Sequence, residues 1–286
     1  MIRYLVVALL FFVQACAQKT HFGPMVYQGT FPSNLDEVSG MEMDDNGVWV
    51  IEDGGNDDRI YQLDKKGQII KTLKIDNAKN RDWEDLAMDN NGNLYIGDFG
   101  NNNNDRKDLT IYKVSQSELA KKEPKAEKIE FRFPEQQDFP PKKNSLFFDA
   151  EGFFHWNDSL YVFTKNRTRP YNGQTFIYKV PAEKGEYNAE FLGSITLCDD
   201  QDRCSVTGAD ISEDGKTIAL LGYGLVFLIS DFDFSNPGDS KVKTINLVYR
   251  SQTESISFQD KNTLWIADER NNSNGGQLYS LDIKMD

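Results

Sequence analysis

Five residues with side-chain oxygen, Ser39, Glu84, Glu151, Thr207 and Glu254, hold one place in a repeated pattern, at intervals of 45, 67, 56 and 47 residues. Three carboxylates gathered on an axis without a counter-charge repel one another and take up protons, and a cation relieves that cost. Oxygen donors with no imidazole and no thiolate select calcium over zinc or copper, and calcium accepts roughly six to eight ligands from side chains and water. The alternative is that each oxygen only opens a strand and bonds backbone amides. Recurrence in all five units favours the cation, because buried unpaired acids are costly.

The segments C-terminal to these residues fix the elements that must position them. Ser39 precedes GMEM, the turn DDNG and the run VWVIED; Glu84 precedes DLAM, DNNG and NLYIGD; the other three repeat the scheme. Self-similar units of short strands joined by Asn/Gly turns read as propeller blades. A third strand recurs at residues 60–63, 111–114, 177–180, 226–229 and 278–281, with period-two alternation of aromatic and branched residues. A fourth is expected at 68–74, 128–133, 189–195 and 243–249, and the fifth unit has none. Residues 24–31 (PMVYQGTF) are an orphan strand that closes the ring against the last blade and removes a sheet edge. The expectation is an all-β, five-bladed propeller of four-stranded antiparallel blades in one domain over residues 24–286. Residues 134–148, with Pro134, Pro140 and Pro141, are too short for a further blade and read as a long loop. Residues 115–122 offer at most a turn or two of helix, and His155 reads as a core histidine.

In a propeller the first strand of each blade lines the channel, so the five oxygen-bearing residues converge on the axis. Loops leaving the second strand return to the same end. They bring Asp53 and Asp98 as candidate catalytic acids, and Lys165, Arg167 and Arg270 as candidate substrate-binding cations. Acids facing cations suit an anionic ligand bridged to calcium, with an acid positioning water. A solvated polar loop face is the other reading.

Residues 1–15 carry one positive charge and a short apolar run that ends at VQAC, which reads as a lipoprotein signal cut before Cys16. A lipid on Cys16, followed by a tether over 16–23, would hold the chain to a membrane of the bacterial envelope, periplasmic or outward-facing. Cys198 and Cys204 remain, six apart in CDDQDRC, and are expected to form a disulfide in that oxidising compartment. Removing residues 1–15 takes away Arg3 and no acid, so the formal charge of −13 becomes −14. That excess argues against nucleic acid as a partner. The chain is expected to act as a monomer.

At the five ring positions the chain resembles the calcium-activated nucleotidases, the five-bladed apyrase family. There one central calcium is held by one residue per blade in the order Ser, Glu, Glu, Ser, Glu. The matching positions are Ser39, Glu84, Glu151, Thr207 and Glu254, with threonine keeping the hydroxyl; the likeness is carried by SGMEM, WEDLA and ESISF. The family's phosphate-contacting loop residues have no match here. The resemblance implies an axial calcium and hydrolysis of a phosphorylated or other anionic small molecule. Two alternatives stay open: a non-catalytic binding or scaffold propeller with structural calcium, and a lactonase-like or phytase-like six-bladed propeller.

Overall fold

The second strand of each unit is apolar at consecutive positions, as a strand covered on both faces must be. In the first blade Val48 and Val50 pack toward the fifth, against Ala267 and Leu278. Trp49 and Ile51 point the other way, onto Trp83 and Ile96 of the second blade. Period-two geometry thus divides one run between two seams. Each of the five seams has its own cluster of buried side chains.

The computed structural model describes residues 19–271 and 274–284. The inner strands are Val38–Asp44, Trp83–Met88, Asp149–Trp156, Gly208–Ile211 and Thr253–Asp260. Each packs beside the next in chain order, and the fifth returns to the first. The all-β five-bladed propeller is therefore the fold, and the six-bladed alternative is not: residues 134–148 contribute only the short turn Lys143–Ser145. Met25–Thr30 closes the ring antiparallel to Gln277–Asp282, with Val26 opposite Ser280 and Thr30 opposite Gln277.

Three details depart from expectation. His21–Phe22, assigned to the tether, adds an edge strand to the fifth blade, and Phe22 packs edge-on against Tyr249 and Tyr279. Gly185–Asn188 runs parallel to Glu127–Arg132 and covers the outer edge of the second blade. The fourth strand of the fourth blade is Lys241–Asn246 instead of 243–249, because Val248 turns the chain with a φ of 62°. Helix is confined to short pieces, Gln116–Leu119 capped by Ser115 and Gln201–Cys204 capped by Asp200. Cys198 and Cys204 are paired, their Cα atoms 5.7 Å apart, between the third and fourth blades. His155 is partly buried and stacks on Tyr95. Among the described residues no helix is long and apolar enough to cross a membrane. The signal reading of 1–15 and the lipidation of Cys16 lie outside them.

Candidate metal centre at the ring mouth

In four blades the ladder between first and second strands slips by one residue at the ring position. The shifts fall between Val38 and Gly40, Trp83 and Asp85, Ala150 and Gly152, and Thr253 and Ser255. Ser39, Glu84, Glu151 and Glu254 are the extra residues of β-bulges, which take a side chain out of the regular alternation and re-aim it. In the fourth blade Thr207 sits just before the inner strand, its N–H donating to the Leu221 carbonyl at 2.9 Å. All five side chains are thereby set at the same end of the axis.

Both hydroxyls have a committed proton. Ser39 Oγ donates to the Trp83 carbonyl at 2.7 Å and Thr207 Oγ1 to the Thr253 carbonyl at 2.8 Å. Each bond ties one blade to the residue preceding the next blade's glutamate. It leaves the hydroxyl oxygen with lone pairs only.

The three glutamates differ in their company. Glu84 is 6 % exposed and accepts no hydrogen bond among the described residues; burial, then Glu151, Asp53 and Asp82, hold its carboxyl well above the usual range. Glu151 faces Lys165 Nζ at 3.1 Å and Arg167 at 3.3 Å, so burial works against its charge and two cations work for it. Arg167 also pairs closely with Asp149 and Asn102. Glu254 accepts from the Tyr223 hydroxyl at 2.8 Å. Burial would lower the Lys165 ammonium, but Glu151, Tyr223 and Glu254 more than offset this and raise it.

The structure thus brings Asp53, Lys165 and Arg167 to the ring. Burial, with Asp82 and Glu254 adding to it, pushes Asp53 up to about 7. Asp98 and Arg270 are committed elsewhere. Asp98, 1 % exposed, accepts from the Asp82 N–H at 3.0 Å and from Arg106 at 3.2 Å, and so braces its own loop. Arg270 binds Asp36 at 2.7 Å and the Phe31 carbonyl at 2.8 Å, where the first and last blades meet.

A cavity of about 1000 Å³ opens at the opposite end, between hairpin turns and beside Glu42, Asp44 and Asp210. It does not reach the ring through an open bore. Asp85 accepts from the Phe153 N–H at 2.9 Å and the Ala209 N–H at 3.2 Å, so its carboxylate crosses from the second blade to the fourth.

No protein-family model and no curated protein matches the chain. Among solved structures, a PQQ-bound aldose sugar dehydrogenase from Streptomyces coelicolor is similar over 93% of this chain and 99% of its own, at 11% identity and a TM-score of 0.49. A putative gluconolactonase is similar over 82% and 70%, at 12% identity and a TM-score of 0.46. Neither bears on the chemistry of the ring.

Sequence reasoning passed over a second set of oxygen-bearing residues two positions before the first: Glu37, Asp82, Asp149, Ser205 and Gln252. The spacing was present in the sequence, each of these residues standing two positions before its ring residue. Of these, Asp149 takes Arg167 and the Asn101 N–H, and Gln252 donates to Glu269 at 2.8 Å. Burial, then Glu254, pushes Glu269 up to about 9.

Proposed function

We propose that this protein is an exported, lipid-anchored, calcium-dependent hydrolase of a phosphorylated or otherwise anionic small molecule, acting at the ring mouth. The observation that carries the reading is the ring itself: two hydroxyl oxygens whose protons are committed, two buried glutamates, one of them without a donor, and the partly buried Glu254. That donor set, oxygen throughout, suits a hard cation, with Ser39, Glu84, Glu151, Thr207 and Glu254 as its proposed holders. When bound, calcium supplies a Lewis acid toward a substrate oxygen. Arg167, whose side chain is 31% exposed, and Lys165 beside it receive the anion's charge. Asp53, brought to the ring beside Asp82 and Glu254, is the group to orient and deprotonate a water. The resemblance to apyrases makes nucleoside di- and triphosphates the first substrates to try. Anchoring rests on the apolar run ending at Cys16, and incorporation of labelled palmitate, lost in Cys16→Ser, tests it.

A second reading, a binding propeller with structural calcium, is favoured by the ion pairs that already engage Lys165 and Arg167. A panel of nucleotides, phytate and lactones, each with calcium and with chelator, separates the two. The hydrolase reading expects product only with calcium, and a fall of at least about tenfold in Asp53→Asn. Silence across the panel would leave the binder.

A further inference from the structure

We propose that a second hard divalent cation of calcium's size binds off the axis, at the seam of the first and second blades, between Asp53, Asp82 and Glu84. Only the sharing of Glu84 with the axial ring rests on the functional reading above. The axial ring takes one residue from each blade, whereas these three belong to one seam: Asp53 leaves the second strand of the first blade, and Asp82 and Glu84 open the second blade.

Three observations point to a ligand here. First, one carboxylate oxygen from each residue lies within 4.8 Å of the other two. Oxygens bound to one calcium at about 2.3–2.6 Å stand no more than about 5 Å apart, so the separation is that of a shared ion.

Second, the trio closes on bare backbone. A Cβ at Gly100 would collide with Glu84 Oε1 and Asp82 Oδ2, and one at Gly54 would stand 2.6 Å from Asp82 Oδ1. Two glycines therefore make the room in which the carboxylates converge.

Third, these carboxylates lack the partners that their neighbours have. Asp98 holds Arg106, Asp149 holds Arg167, Glu151 holds Lys165, Glu254 holds the Tyr223 hydroxyl and Glu269 holds Gln252. Among the described residues, no hydrogen bond or ion pair reaches the side chains of Asp82 or Glu84, and Asp53 accepts only from the adjacent Gly54 N–H. A carboxylate as buried as Glu84, aimed at two others, is costly unless a cation or protons neutralise it. With oxygen as the sole donor type, the cation is a hard one rather than zinc or copper.

Equilibrium dialysis of chelator-stripped protein against radioactive calcium counts the sites. The wild type is expected to bind two calcium ions per chain, Asp82→Asn one, and Glu254→Gln one. Asp82→Asn that binds as many ions as the wild type overturns the off-axis site and leaves the ring standing. A loss in Asp82→Asn together with full binding in Glu254→Gln supports the off-axis site and sinks the axial one. A wild type that binds no calcium sinks both. Asp53→Asn, expected to lose the same ion, replaces Asp82→Asn if the latter does not fold by circular dichroism.

Discussion

Deletion of residues 24–31 is expected to abolish cooperative unfolding or to lower the melting temperature by more than about 10 °C. Met25–Thr30 is an interior strand of the fifth blade, between His21–Phe22 and Gln277–Asp282, and its loss exposes the edge of the latter. The deletion also removes Met25 and Phe31, 0% and 2% exposed. Each such side chain contributes about 1.5–3 kcal/mol by burial. Phe31 further donates its N–H to the Gly276 carbonyl at 2.8 Å and accepts Arg270, so the seam between the last and first blades loses its polar ties as well. Against a total stability of about 5–15 kcal/mol, the sum is most of what the domain has. Thermal unfolding followed by circular dichroism checks it, and an unchanged midpoint would show that the strand does not close the ring.

In chelator, stability is expected to fall as pH rises from about 5 to 8. Burial, as the leading cause, pushes the carboxyls of Glu52, Asp53 and Asp210 each up to about 7. In the unfolded chain they return to about 4. Their folded values are raised, so the folded state holds protons that the unfolded state releases. The contribution is complete below about pH 4 and is lost as pH passes through about 7. One group shifted by three units is worth about 4 kcal/mol at most, and Glu269, pushed up to about 9, adds to the fall over the same window. A melting temperature that stays flat or climbs between pH 5 and 8 in chelator would contradict these environments.

Blade number and the ring were legible in the sequence for one physical reason. A strand buried on both faces must be apolar throughout, so VWVI and its counterparts mark the second strand of each unit, and the residue before each preceding segment repeats with it. The bulges that aim those residues left no such mark, since a register slip depends on the partner strand. Gly185–Asn188 was missed because its partner, Glu127–Arg132, is remote in sequence and the pairing is parallel. The roles of Asp98 and Arg270 were illegible for a related reason. Whether a loop charge faces the axis or a neighbouring loop is set by Arg106 and Asp36, which local pattern does not connect to them. Asp82 was the readable omission, two residues before Glu84 as Asp149 is before Glu151.

The claim that the ring holds calcium is tested most directly by the melting temperature of chelator-stripped protein at pH 8, before and after calcium is added, in the wild type and in Glu254→Gln. Glu254 belongs to the axis alone, and its charge is one of three glutamate charges on the ring. Calcium at about a hundred times its dissociation constant is expected to add about 2.7 kcal/mol, a rise of about 5–10 °C in the wild type. The rise should shrink in Glu254→Gln, where a neutral amide replaces a charged ligand. No rise in the wild type, or the same rise in both proteins, would contradict the account.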